Sequence, residues 1–372
     1  MPRQDVLTSA KAANKNEFYT QYEDIEREVN AYVDYNPDVF RNKVILLPCD
    51  DPEWSNFTKY FAANFERFGI RKLISTSYAK GWANQHMQIS LFEKNAPQYS
   101  EELRQEHGKL FILERDVDGS GRIDRDDLEY TYLDGDGDFR SEEVTKLRDE
   151  ADFVITNPPF NTLFREFFAW LMEGKKQFLC IASMNCITYK ELFPYIKANQ
   201  VWVGTGMGRW ISGFLVPEDY ELYGTEARMD NQGRRIVATN NCLWLTNIDH
   251  GKRHEPLKLM TMEENLKFNQ TLRKRLMKKF GDDSQYPHYD NYDAIEVPFT
   301  EAIPSDYDGV MGVPISFLDK FSPEQFEIIG ATESEGKGFS EGLWDKSSGV
   351  AQATANQVRI YKRLFIRKKA GA

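Results

Sequence analysis

The chain has 372 residues, 41% of them hydrophobic, which is enough for one large α/β domain beside a smaller one; no apolar run nears the roughly 18 residues of a membrane span. A formal charge of −11 argues against a uniformly basic nucleic-acid binder, but acids crowd into 114–150 while "LRKRLMKK" (272–279) and "YKRLFIRKK" (361–369) gather cations near the C-terminus. Cys49, Cys180, Cys186 and Cys242 lack CxxC spacing, which sets aside zinc and disulfide frameworks, and the polar start "MPRQDVLTSAKAANKNE" has no apolar export core, so a cytoplasmic protein is expected.

In chain order, the pattern predicts a strand at "KVILLPC" (43–49), a helix over 54–68 and a strand at "RKLISTS" (71–77). "DFVIT" (152–156), "QFLCIAS" (177–183), "VWVGTG" (201–206) and "NCLWLTNI" (241–248) read as further strands, with helices over 161–173 and 188–198. Such alternation between 43 and 250 is the mark of a mostly parallel sheet with helices on both faces. Beyond "HGKRHEPLKLM" (250–260) it stops, and a basic helix over 262–280 leads into a stretch rich in Tyr, Asp and Pro. The boundary therefore falls near 260, giving regions 1–260 and 261–372.

"NPPF" (157–160), directly behind the strand 152–156, is the chemically suggestive junction. Loops at the carboxyl ends of strands in an open α/β sheet face the ligand crevice. Pro158 and Pro159 restrict their own φ angles and the residue before each, so Asn157 sits in a loop with little freedom. The Asn157 amide oxygen, a proline carbonyl and the flat face of Phe160 together suit an exocyclic amino group on a planar base taken out of its duplex. A strand-ending turn doing ordinary turn chemistry is the competing reading.

An acidic insert spans about 114–140. "DVDGSGRIDRDD" (116–127) has calcium-loop spacing, with Asp116, Asp118, Ser120, Arg122 (through its carbonyl), Asp124 and Asp127 as ligands and Gly121 at the turn. Asp127 replaces the usual final Glu, and the preceding "KLFILERD" reads as a strand rather than a helix, so a solvated acidic loop competes with a structural calcium site.

Taken with "NEFYTQ" (16–21), "CDDPEWSNF" (49–57), "GDGDFRSEE" (135–143), "ITYKELFPYIK" (187–197), "FLVPEDYELYG" (214–224), "TNIDHGKRHE" (246–255), "YDNYDAIEV" (289–297) and "YDGVMGVPISFLDKFSPEQFEIIG" (307–330), "NPPF" resembles the EcoRI-type adenine-specific DNA methyltransferases over nearly the whole chain. The resemblance implies a Rossmann-like S-adenosylmethionine-dependent methyltransferase sheet over 1–260 and a DNA target-recognition region over 261–372. It implies methyl transfer from S-adenosylmethionine to N6 of a flipped adenine in duplex DNA, within restriction-modification or related DNA modification.

By the same resemblance Asn157, Pro158, Pro159 and Phe160 are catalytic, and Phe18, Tyr19, Thr20, Asp50, Asp51, Asp138, Phe139 and Asn157 bind the cofactor. Asp51 ahead of Pro52 reads equally as a helix N-cap. Phe160 would stack on the base, and Trp244 is the candidate for a second face, with a core role competing. Arg273, Lys274, Arg275, Lys278 and Lys279 would meet DNA phosphates. No glycine-rich loop occurs within 48–57, and the second strand ends in "STSY" rather than an acid for a ribose. A cognate restriction endonuclease is a candidate partner, and the long C-terminal region suits a monomer. Two other readings keep parts of this pattern: a methyltransferase acting on RNA or a protein glutamine amide, and a non-catalytic calcium-binding interaction protein on the same scaffold.

Overall fold

The computed structural model describes residues 19–51, 55–79, 99–123, 125–127, 129–158, 163–216, 227–230, 233–237, 241–290, 292–332 and 353–371. The chain divides into two compact units, Met1–Met184 with Gly204–Ile248, and Asn185–Val203 with Asp249–Ala372. The break precedes the boundary expected near 260, and the second unit also takes 185–203. Its apolar side chains find their burial there: Ile196, Val201 and Trp202 line one small cavity with His250, Leu318 and Phe321.

The first unit is mixed α/β. In chain order it contains β1 (Tyr19–Thr20), α1 (Tyr22–Tyr35), β2 (Val44–Leu47), α2 (Asn56–Ala63), β3 (Lys72–Thr76), β4 (Lys109–Leu113), β5 (Glu129–Tyr132), α3 (Glu142–Glu150), β6 (Phe153–Thr156), α4 (Phe164–Glu173) and β7 (Gln177–Ser183). After them come β8 (Phe214–Leu215), β9 (Ala227–Met229), β10 (Arg235–Val237) and β11 (Cys242–Thr246). Within this unit the large sheet runs β5-β4-β3-β2-β6-β7-β11. Strands β3, β2, β6 and β7 are parallel, while β4, β5 and β11 run antiparallel to their neighbours.

All four residues of β2 are buried, as a central strand covered on both faces requires. Ile45, Leu47, Phe153, Ile155, Leu179, Ile181 and Trp244 share one core with Ile25, Val29 and Tyr32 of α1 and Phe57 and Phe61 of α2. On the alternate residues of β7 lies Phe178, which Phe168 of α4 meets edge-on at 6.2 Å. Helices thus cover both sides of the sheet.

Helix α1 is absent from the expected elements, although Ile25, Val29 and Tyr32 keep the spacing of a buried stripe. Acids interleaved with the stripe mask it, and two of them turn out to be buried. Glu28 accepts from the Thr205 N–H at 2.9 Å and from its hydroxyl, and Asp24 accepts from the Ser212 N–H and hydroxyl, each at 2.7 Å. These bonds hold a turn where the sequence predicts strand: extended structure stops at Val203, and Gly206 and Met207 take φ of 73° and 46°. Strands β1, β8, β10 and β9 pair in that order as a small antiparallel sheet.

In the second unit the basic helix expected over 262–280 is two helices, α5 (Met262–Phe268) and α6 (Gln270–Phe280). Asn269 makes the break: its N–H donates to Asn265 at the end of α5, and its side chain accepts from Leu272 to cap α6. Strands β12 (Ile295–Glu296), β13 (Met311–Pro314), β14 (Phe326–Ala331), β15 (Thr354–Ala355), β16 (Val358–Arg359) and β17 (Arg363–Lys368) follow, with one sheet ordered β12-β13-β17-β14. The cationic run 361–369 therefore contains an inner strand, with Leu364, Phe365 and Ile366 fully buried. No helix among the described residues is long and apolar enough to cross a membrane.

Trp244 is among the largest fully buried side chains, and its ring meets Phe57 edge-on at 6.0 Å. Trp244→Ala should cost about 3–5 kcal/mol in urea unfolding. A loss below about 1 kcal/mol would contradict its place in the core.

Candidate active site

Strands β2 and β6 are parallel neighbours, so the loops after them leave the sheet on the same side. The strand order also reverses at β2, with β3 on one flank and β6 on the other, which is where an open α/β sheet forms a crevice. Asp50 follows β2 and Asn157 follows β6. The Thr156 hydroxyl donates to Asp50 Oδ2 at 2.6 Å, so the two loops are tied directly. Ser55 donates to Asp50 Oδ1 at 2.7 Å, Ser75 donates to the Asp50 carbonyl at 2.5 Å, and the Asp50 N–H donates to Thr76 at 3.1 Å. Asn157 is half-buried in this setting and Pro158 is buried; Pro159 and Phe160 lie outside the described residues.

Asp50 is 5% exposed. Burial pushes its carboxyl up to about 7 against the pull of the Thr156 and Ser55 hydroxyls, and the neighbouring Asp51 charge adds to the rise. No cation pairs with it among the described residues. Asp51 differs: Lys109 Nζ stands 3.0 Å from its carboxylate, with the two side chains 1% and 6% exposed. The capping role open to Asp51 belongs instead to Ser55, whose Oγ accepts from the Phe57 N–H at 3.1 Å. Lys109 was not legible in the sequence, because only the antiparallel return of β4 beside β3 brings it to Asp51.

Among the other residues expected at the cofactor, Thr20 is 2% exposed, and its Oγ1 is buried with no hydrogen-bond partner among the described residues. The Thr20 carbonyl accepts from Asn56 Nδ2 at 2.7 Å, which joins β1 to the start of α2, one residue from Ser55. Tyr19 is half-buried beside it, and Phe18 lies outside the described residues. Ser212, which accepts from Gln21 Nε2 at 2.8 Å, borders the same strand.

Asp138 and Phe139 are placed otherwise. Both oxygens of Asp138 are engaged by Arg140, at 2.9 and 2.6 Å, and Arg140 also reaches Glu166 at 2.9 Å. Phe139 offers no open face: it is buried edge-on to Phe167 at 5.3 Å and Trp170 at 5.7 Å, locking α4 to the start of α3. Their loop nonetheless lies on the end of β3. Gly137 has φ of 81°, and a Cβ there would stand 2.1 Å from the Ser77 carbonyl oxygen, so only glycine permits the approach. Trp244, the candidate second face for a base, is likewise a core residue at 1% exposure. An exposed tryptophan, Trp210, stands on the turn held by Asp24 and Glu28, with Arg27 over its ring at 5.7 Å.

In the acidic insert Asp116, Asp118 and Asp127 bring carboxylate oxygens within 4.8 Å of one another. The loop's own backbone satisfies them: Asp116 accepts from Gly119, Ser120 and Gly121, Asp118 from Ser120, and Asp127 from Val117 and Asp118. Ser120 Oγ donates to the Arg122 carbonyl, a would-be ligand, and Asp124 lies outside the described residues. A strand enters the loop and a single 3-10 turn follows, so a self-capped acidic loop accounts for the motif and calcium gains no support.

Helix α6 carries the five expected phosphate contacts. Arg273 pairs with Asp283 at 2.9 Å, and Arg275 donates to the Pro298 carbonyl at 3.3 Å with its guanidinium over Phe299. Lys274, Lys278 and Lys279 are exposed residues of the same helix.

Asp50 carries a pH signature. The folded carboxyl holds its proton to about 7, whereas an unfolded one releases it near 3.8, so the native state binds the extra proton between those values. Stability should therefore fall as pH rises through that window, by at most about 1.4 kcal/mol per unit. Asp50→Asn should flatten this segment of a urea-derived stability profile; an unaltered slope would assign the proton to another group.

The chain matches the family model described as "Adenine-specific methyltransferase EcoRI" over residues 6–369. It is 47% identical over 324 residues to the Type II methyltransferase M.EcoRI of Escherichia coli, covering 87% of this chain and 88% of that protein. Identity is 32% over 322 residues to the Type II methyltransferase M.MgeORF184P of Mycoplasma genitalium, covering 86% and 84% of the two chains. It is 31% over 322 residues to the Type II methyltransferase M.MpnI of Mycoplasma pneumoniae, covering 86% and 83%. No solved structure gives a significant match. With a family model spanning nearly all of its length, the chain belongs to the EcoRI family of adenine-specific methyltransferases.

Proposed function

We propose that this methyltransferase transfers a methyl group from S-adenosylmethionine to N6 of a flipped-out adenine in duplex DNA. In this reading the first unit is a Rossmann-like methyltransferase domain and the second unit reads the target site. The observation that supports the reading is the Thr156–Asp50 hydrogen bond, which ties the residue before Asn157 to a buried carboxyl that has no cation among the described residues.

The residues present fit the cofactor. Asp50 is a buried acid whose ionised form needs a positive charge, and an ammonium supplies one. Thr20 Oγ1 is a buried polar atom with no partner among the described residues, on a strand anchored to the start of α2. S-adenosylmethionine supplies an activated methyl on a sulfonium, so the protein's task is positioning and polarisation.

Adenine N6 is a poor nucleophile because its lone pair is delocalised into the ring. The Asn157 amide oxygen and the Pro158 carbonyl accept its two hydrogens, favouring a pyramidal nitrogen with its lone pair available. Phe160 stacks on the base, a contact worth about 1–3 kcal/mol. In the in-line displacement the N6–methyl bond would form as the sulfur–methyl bond breaks, the neutral thioether S-adenosylhomocysteine would leave, and N6 would shed one proton to solvent. No nucleophilic cysteine is needed, and Cys180 is buried, with desolvation raising its thiol well above the usual range. The relatives' name, Type II methyltransferase, supports a place in restriction-modification, with a cognate endonuclease as the partner activity.

Incubation with unmethylated genomic DNA and S-adenosylmethionine should yield N6-methyladenine by nucleoside mass spectrometry, and Asn157→Ala should lower the yield at least about 100-fold. Methylation of RNA or of a glutamine side chain, with none in DNA, would overturn the substrate assignment. Asp50→Asn should weaken S-adenosylmethionine binding about 10-fold or more by calorimetry, since the removed ion pair is a charge-assisted one; unchanged affinity would remove Asp50 from the cofactor site.

A further inference from the structure

We propose that the cleft beside the C-terminal half of α6 seats one backbone phosphodiester of the DNA, an inference that rests on the DNA-methyltransferase reading. The cleft has a volume of about 380 Å³ and is walled by Arg275, Lys278, Lys279 and Phe280 on one side and by Glu296, Pro298 and Arg363 on the other.

Its charge selects an anion. Arg275, Lys278 and Lys279 stand three and four residues apart, on one face of the helix. Glu296, the acid in the lining, is fully buried and already neutralised. Arg363 Nη2 lies 2.6 Å from its carboxylate, and the Tyr289 hydroxyl donates to it as well. Four cations against one carboxylate leave a formal charge of about +3. Neither Lys278 nor Lys279 forms a salt bridge among the described residues. Desolvation holds the Lys279 ammonium below the usual lysine range, with Glu296 opposing and Arg363 adding to the shift, so an arriving anion relieves an existing cost.

The shape suits a nucleotide unit. Phe280 and Pro298 supply apolar wall for a deoxyribose, while the lysines offer point charges to its phosphate. Arg275 is braced by the Pro298 carbonyl and the Phe299 ring, which lowers the entropy lost on binding. Of the five cations expected to meet phosphate, Arg273 and Lys274 do not line the cleft, and Arg273 is turned to Asp283. Arg363, part of the cationic run 361–369 but not among those five, makes the cleft cationic by cancelling Glu296. Such contacts fix position and carry no base information.

Fluorescence anisotropy of the cofactor-loaded protein on duplex DNA across a salt series tests this. Lys278→Gln with Lys279→Gln should lower the slope of log affinity against log salt by about one, equally on sites that are methylated and unrelated duplexes. The surface pair Lys146→Gln with Lys320→Gln should leave the slope unchanged, and S-adenosylmethionine calorimetry on each variant reports that the fold is intact. An unchanged slope in the cleft variant, or an equal fall for Arg273→Gln with Lys274→Gln, would overturn the cleft. If the unmutated protein methylates DNA in that case, the function stands and only the cleft falls; if it shows no salt-dependent DNA affinity at all, both fall.

Discussion

The hydrogen bond from Thr156 to Asp50 is the contact that ties the loop after β2 to the loop after β6, and the proposed catalytic geometry rests on it. It spans two neighbouring parallel strands at the end where their loops emerge, and it opposes only in part the burial that holds the proton on Asp50 up to about 7. Hydrogen bonds to a charged group contribute about 1.5–3 kcal/mol, and this one shares its acceptor with Ser55, the cap of α2. One buried carboxylate thus gathers the loop after β2, the first turn of α2 and the loop after β6. Two prolines then leave Asn157 little freedom to depart from the position so defined.

Neighbouring acids in this chain illustrate how balance separates structure from chemistry. Asp51 is compensated by Lys109, and Glu296 by Arg363 and Tyr289; each pair is buried and self-sufficient. Breaking such a pair leaves an uncompensated buried charge, so these partners serve integrity of the fold. Among the described residues, Asp50 has hydroxyls but no cation, and the lining of the α6 cleft has cations but no free acid. Those two imbalances, one negative and one positive, are where charged ligands have something to gain.

Much of the central sheet was legible. β2, β3, β6, β7 and β11 fall inside the predicted segments because each is a short β-rich apolar run bounded by polar residues. The fully apolar strands also announced burial on both faces. Other features escaped because their signal is not local. Glu28 and Asp24 look like solvated helix acids until the turn at 204–212 folds onto them. Asn269 looks like one polar residue in a long basic helix until its side chain caps the second half. Phe139 and Trp244 have the ring faces a ligand could use, but Phe139 joins helix to helix and Trp244, in the middle of β11, joins sheet to α2.

What the sequence by itself determined is membership of the EcoRI family, the parallel core and the restricted backbone of Asn157 ahead of Pro158, because strand periodicity and proline stereochemistry are properties of adjacent residues. Tertiary structure alone decided which acid has no counter-ion among the described residues, which residue caps α2, where the units divide and which cations share a cleft. Those outcomes depend on residues far apart in the chain, such as Lys109 with Asp51 or Arg363 with Glu296, whose pairing arises only when strands return antiparallel beside others. Charge, in a protein interior, is assigned by neighbours that the linear order does not show.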